Sequence, residues 1–331
     1  MLRALLCSAV LLSCQGQTSR VAAPESVIDE VPTGVEGMLL DVAFQGSKLG
    51  LTVGGTTERG PSLVARTTDG GTTWTPIEVA AEGRLYDVAF ASDTIACAVG
   101  YGVILRTVDA GETWASPVSA ETELPWFGGV AFVDGQRGYA VGGGESPILW
   151  RTDDAGLSWR DASDLLPAGA NSHGLRAILF LDGKRGIVAG DDGLLLGAND
   201  GGDRWVVVDS GTDVDWMKGL GRTGERSCLA VGSRGAVLWT SDAGASWTRW
   251  PFPFADKLNA AGVLDGGAAY VGSMQGRLFE TRDEGLTWTM VFERVGSPII
   301  GSGLRRADEP ELWFACDQGT LLRVRRSEVG R

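Results

Sequence analysis

One eight-residue stretch occurs six times: TTDGGTTW at 67–74, TVDAGETW at 107–114, TDDAGLSW at 152–159, ANDGGDRW at 198–205, TSDAGASW at 240–247 and TRDEGLTW at 281–288. Its aspartates, Asp69, Asp109, Asp154, Asp200, Asp242 and Asp283, are spaced by 40, 45, 46, 42 and 41 residues. A fixed period of this size means units that stack on one another because none can bury its apolar face alone. A period of roughly 40–45 residues is one four-stranded propeller blade.

Each unit reads alike. A run such as LLDVAF (39–44), LYDVAF (85–90) or GVAF (129–132) makes a first strand, and IACAVG, GYAVGG, GIVAGD, CLAVGS or AAYVGS a second. A glycine turn leads to a third, as in GVILRT, PILWRT, AVLWTS and GRLFET; the aspartate stretch then turns the chain and its tryptophan opens a fourth. The last unit, GSGLRRADEPELWFACDQGTLLRVRR, has three strands and no aspartate stretch. The front segment SVIDEVPTGVEGMLL (26–40) resembles the outer strand and linker PIEVAAEGRLY (76–86), so Val27 to Val31 should pair with the third strand of the last unit. That closes the ring and removes the open sheet edges. The expectation is all-β: a single seven-bladed β-propeller over 26–331, its ring closed by an N-terminal strand completing the last blade. Glycine, 49 of 331 residues and about twice the usual share, agrees with so many turns.

Within the repeated stretch, Asp69 and its five counterparts are candidates for acid catalysis, metal binding or turn formation. A catalytic site is one place, whereas a structural device repeats, which favours the turn. An Asp side chain in a tight turn accepts hydrogen bonds from nearby backbone amides, and the glycine supplies a backbone angle other residues resist. The hydroxyl residue adds a local bond, and Trp74, Trp114, Trp159, Trp205, Trp247 and Trp288 wedge a large apolar face against the neighbouring blade. Asp200 departs from the pattern, with Ala198 and Arg204 where hydroxyl residues should stand.

The pattern S/T-x-D-x-G-x-S/T-W resembles the Asp-box, or BNR repeat, of sialidases and many other propellers. The whole unit, with its DVAF, AVG-x-G-x-IL-R-T and TxDGGxTW elements, is similar to the photosystem II stability/assembly factor-like propellers and their non-photosynthetic bacterial relatives over roughly residues 26–326. That resemblance implies a seven-bladed fold and a noncatalytic role in assembling membrane proteins.

Residues 1–13, with Arg3 and an apolar run from Ala4 to Leu12, read as a signal peptide, too short to span a bilayer. Leu11-Leu12-Ser13-Cys14 resembles a bacterial lipobox, which implies lipidation of Cys14 and a tether over 14–25; an ordinary cleaved signal peptide is the other reading. Gln15, where an aspartate often retains such proteins at the inner membrane, favours the outer membrane. Cys97, Cys228 and Cys316 cannot all pair within the chain and sit in comparable apolar runs, so they read as buried core. No zinc spacing exists, and neither a metal nor a cofactor is expected. The net charge of −13, from 42 acidic against 29 basic residues, argues against nucleic acid, whose phosphates need clustered Lys and Arg.

A glycosidase is the rival class, because sialidases share the Asp-box. The Arg-Ile-Pro signature of sialidases is absent, and Tyr139 and Tyr270 lie inside second strands. Asp41 and Asp87 head adjacent first strands and face the channel together; Asp191, Asp192 and Asp317 lie in turns. Arg66, Arg106 and Arg151 precede three Asp-boxes in one register, either as a basic strip or as paired strand residues. The face opposite the Asp-boxes breaks the symmetry most, through Arg59, Tyr101, Trp126, Phe127, Glu145, His173, Trp216, Lys218, Arg234 and Gln275. ELPWFGG (123–129) and DVDWMKG (213–219) each place an aromatic residue before an inner strand, and such aromatics beside charges mark interfaces. Tyr101, Trp126, Phe127, His173, Trp216, Lys218 and Arg234 are therefore the candidate partner-binding residues. The expected protein is a lipid-anchored monomer of the bacterial envelope that binds a protein or peptide; a carbohydrate-binding or glycan-cleaving propeller is the alternative.

Overall fold

The computed structural model describes residues 26–119, 121–170, 174–264 and 267–327. Seven antiparallel sheets stand around a central channel. Their inner strands are Met38–Gln45, Leu85–Phe90, Phe127–Phe132, Leu175–Phe180, Met217–Arg222, Leu258–Leu264 and Ile299–Arg305, which number the blades one to seven. Second strands such as Ala96–Gly100 and Cys228–Gly232 are buried throughout, because blades cover both of their faces. Cys97, Cys228 and Cys316 lie in these strands, and burial pushes their thiols up to about 12.

Blade seven takes its outer strand from the front of the chain. Ser26–Pro32 pairs antiparallel with Thr320–Arg326, from Ser26 opposite Arg326 to Pro32 opposite Thr320. Asp29 faces Arg323 at 2.9 Å and Arg325 at 3.1 Å. Burial pushes its carboxyl up, but the two arginines outweigh that and hold it below the usual range. Ser26 Oγ meets Tyr270 and Glu280 and accepts from Arg282 Nη2 at 3.2 Å, so the front strand begins beside the Asp-box of blade six.

Blade two departs from the expected four strands. Its outer strand is reduced to the single bridge between Arg106 and Ala115. Pro117, which has no N–H to offer a ladder, follows two residues later.

The Asp-box turns share one set of bonds. Asp69 accepts the Thr73 amide at 2.9 Å and the Thr73 hydroxyl at 2.6 Å. Thr67 Oγ1 donates to Asp69 at 2.8 Å and accepts the Gly71 amide at 2.9 Å. The same four bonds surround Asp109, Asp154, Asp242 and Asp283. Asp200 keeps one of them, from the Arg204 amide at 3.1 Å.

The lock positions a glycine. Gly111, at φ 89°, would carry a Cβ only 2.4 Å from Leu51 of the preceding blade, and Gly156 one 2.2 Å from the Cys97 sulfur. The joint therefore requires both the left-handed backbone and the missing side chain. The box tryptophans join the same contacts: Trp74 meets Trp313 edge-on at 6.1 Å, and Trp205 meets Tyr139 at 6.3 Å. Arg66 and Arg106 add a second tie, each donating from Nε at 2.8 Å to a carbonyl in the next blade's box, of Ala110 and Ala155. Arg151 pairs with Asp153 and Asp203. Arg66 and Arg151 are ion-paired and Arg106 is tied to a backbone carbonyl, so the row is engaged along the blade joints.

Two tests follow from this architecture. Deleting residues 26–32 exposes the Thr320–Arg326 edge and should cause aggregation or a large fall in melting temperature, while deleting 15–24 should leave the melt unchanged; matching melts would contradict closure by this strand. Asp109→Ala should cost about 1–3 kcal/mol through the lost hydrogen bonds to its carboxylate, and Asp200→Ala clearly less, as read by urea unfolding. Burial pushes the Asp109 carboxyl up, but its hydroxyl and amide bonds bring it to about 2. A depressed folded value gives stability that is complete above about pH 4 and fades as pH falls toward 2. The gap between wild type and Asp109→Ala should therefore narrow over that window.

Candidate functional site

Every inner strand carries a bulge near its start. The extra residues are Leu40, Tyr86, Gly128, Arg176, Lys218, Asn259 and Ile300, one from each blade in ring order, and all line a channel cavity of about 490 Å³. Inner strands start at the face opposite the Asp-boxes, so this ring surrounds the channel mouth on that face.

Trp126 lies across the mouth. Its ring meets Tyr86 edge-on at 5.8 Å and takes the Arg176 guanidinium over its face at 5.6 Å. Gly128 makes this possible, because a Cβ there would stand 2.8 Å from the tip of the Trp126 ring. Tyr101 forms a bridge with Trp126 and lies under the Arg59 guanidinium at 5.7 Å. Arg176 also pairs with Asp191.

Lys218 stands in the channel wall one blade further on. Burial pushes its ammonium down to about 8, and the positive charges of Arg176 and Arg84 push the same way. Trp216 is half-buried and bridges to Asp191. Arg234 is exposed on the rim, at φ 55°, and pairs with Asp215 at 2.5 Å.

Two candidates do not belong here as drawn from the sequence. Phe127 is fully buried at 0% exposure and packs edge-on against Trp150 at 5.5 Å, so it is core and offers a partner nothing. It occupies the first, inward position of its strand, matching Leu85 and Met217. His173 lies outside the described residues, as does Cys14.

Asp41 and Asp87 do face the channel together. Asp87 Oδ2 accepts the Val130 amide of blade three at 2.7 Å, and its Oδ1 accepts the Val88 amide at 2.9 Å. Asp41 Oδ2 accepts the Val88 amide at 3.3 Å. The pair thus laces the inner strands of blades one, two and three. Burial pushes Asp87 well up, and the charge of Asp41 and the bond between them add to that, so the pair keeps a proton well past the point where an ordinary aspartate loses it. Among the described residues, no three His, Cys, Asp or Glu side chains converge to hold a metal ion, and no helix is long and apolar enough to cross a membrane.

Tyr86, Arg176 and Asn259 are the mouth residues that sequence reasoning missed. A signal existed: in LYDVAF, LRAILF, MKGLGR and LNAAGV the second letter is the bulge residue, and it departs from the small or aliphatic residues of the other blades.

The sequence profile of the family described as "Photosynthesis system II assembly factor YCF48" matches residues 22–127, 118–249 and 175–331. The photosystem II assembly lipoprotein Ycf48 of Synechococcus sp. (strain CC9902) is 33% identical over 202 residues, 59% of this chain and 57% of that protein. The chloroplastic photosystem II stability/assembly factor HCF136 of Arabidopsis thaliana is 26% identical over 273 residues, 73% of this chain and 65% of that protein. The chain thus aligns with less than two thirds of the length of either relative. Among solved structures, YCF48 bound to D1 peptide superposes with a TM-score of 0.70 at 17% identity, covering 91% of this chain and 97% of that one, a likeness of fold.

Proposed function

Because the chain belongs to the photosynthesis system II assembly factor YCF48 family, we propose that it is a noncatalytic propeller that binds a protein or peptide partner at the bacterial cell envelope, through the channel mouth opposite the Asp-boxes. The observation that carries this reading is Trp126, half-buried across the mouth between Tyr86 and Arg176. An aromatic ring flanked by a cation at the rim of a cavity is the composition of binding hot spots. A relative of the same fold was solved with a peptide bound, which supports a peptide-like partner here. Tyr101, Trp216 and Arg234 extend the surface around the mouth. His173, in the loop before blade four, is the remaining candidate.

The carboxylates support the noncatalytic reading. A glycan-cleaving site needs a pair of carboxyl groups free to meet the substrate. Asp87 spends both oxygens on backbone amides, and Asp41 is hydrogen-bonded to Asp87.

Anchoring through lipid on Cys14 completes the proposal, supported by the lipobox-like Leu11–Cys14 segment and by a relative that is named a lipoprotein. Two or more acyl chains make such an anchor stable where one does not.

Trp126→Ala and Trp216→Ala should each weaken capture of a membrane-derived partner at least tenfold with little change in melting temperature. Early melting of both would make the rings core packing, and unchanged binding would place the interface elsewhere. Cys14→Ser should move the protein from the membrane to the soluble fraction in a folded state; if it stays with the membrane, something other than lipid holds it.

A further inference from the structure

The wall of the channel mouth carries a buried amide with nothing to satisfy it and, beside it, a cation with no ion pair among the described residues. Asn259 is 3% exposed, and neither its amide nitrogen nor its amide oxygen has a hydrogen-bond partner in the protein. A buried amide in that state costs stability unless something else pairs with it. Lys218, the equivalent residue of the adjoining blade, has no ion pair among the described residues, and its charged neighbours, Arg176 and Arg84, are cations too. The two strands lie tight together: a Cβ on Gly219 would come 2.5 Å from the Asn259 carbonyl.

The chemistry missing from this corner can be read off. An unpaired ammonium in a partly dry wall calls for an anion. Asn259 offers a donor and an acceptor side by side, and a peptide group is their complement, with its C=O accepting and its N–H donating. Across the mouth, Leu40, Ile300 and the Tyr86 ring offer an apolar surface for a side chain. The channel's own carboxylates do not supply the anion, because Asp41 and Asp87 are held by the amides of Val88 and Val130. Arg176 is already paired with Asp191.

We propose that the corner between blades five and six is a subsite for a peptide carboxylate, in which Lys218 pairs with the carboxylate and Asn259 with the adjoining peptide group. The carboxylate comes either from a chain end or from an acidic side chain. This deepens the partner-binding reading above and rests on it.

Three capped peptides test it on the full chain, with calorimetry as the readout. Acetyl-Ala-Ala-Leu has a terminal carboxylate, its C-terminal amide has none, and acetyl-Ala-Glu-Leu-amide has only a side-chain carboxylate. One or both acidic peptides should bind at least tenfold more tightly than the neutral amide. Preference for the first assigns the source to a chain end, and preference for the third to an acidic side chain. Lys218→Met should abolish the difference, Lys218→Arg should keep most of it, and Asn259→Leu should weaken both acidic peptides. Equal binding of the neutral amide, no binding of any of the three, or an undiminished preference in Lys218→Met would overturn the proposal. If no acid binds while Trp126→Ala and Trp216→Ala still lose the partner, only the carboxylate subsite falls. If the acids bind while those variants capture the partner normally, only the assignment of the interface to the tryptophans falls.

Discussion

A bare Cα pressed against the preceding blade holds this ring together. At each of five Asp-boxes, the third residue of the Asp-x-Gly turn lies against a second-strand side chain of the preceding blade: Trp313, Leu51, Cys97, Tyr139 or Ile187. In blade six, Gly285 lies instead against Trp250 of the preceding blade's outer region. The threonine, aspartate and second hydroxyl exist to hold that glycine in a left-handed turn, where any Cβ would strike the neighbour. A repeat that stacks only on its neighbours needs its strongest local rule at the contact, and here that rule is the box. Asp200 shows the tolerance of the scheme, since it keeps one hydrogen bond of the set while Gly202 still lies against Tyr139.

Much of this was legible in the chain. The spacing of six aspartates sets the blade length, and the likeness of Ser26–Pro32 to an outer strand leads to the pairing with Thr320–Arg326. These features are periodic, and periodic features survive the loss of any single signal. What was not legible is local. The bulge adds one residue at the start of each inner strand, so strict alternation loses the facing there. Phe127 therefore reads as a rim aromatic beside Trp126, although one is buried in the sheet and the other lies over the mouth. The same extra residue hid Arg176 and Asn259, whose neighbours in sequence belong to the core. Pro117 likewise shortened an outer strand that the repeat alone would have completed.

The channel wall is where the repeat stops being symmetric. Blades one to three are joined by a pair of carboxyl groups that bind amides across strands, so their polarity is consumed internally. Blades four to six put a guanidinium, an ammonium and an amide one residue earlier, at the bulge positions that Leu40, Tyr86 and Gly128 hold in blades one to three, and the first of these is paired with Asp191. A ring built from near-identical parts gains a unique direction in this way. The joints stay constant on one face, and the chemistry varies on the other.

The front strand has a mechanical meaning. It starts at Ser26 beside the Asp-box of blade six and runs away from that face, antiparallel to Thr320–Arg326. Tension on the chain upstream of Ser26 therefore pulls along the strand axis. Antiparallel hydrogen bonds lie across that axis, so the whole paired length from Ser26 to Pro32 shares the load in shear, and no single pair is peeled at a time. The seam that closes the ring is thus oriented to resist being drawn out by the chain before Ser26, and a pull from that side leaves the channel mouth on the far face.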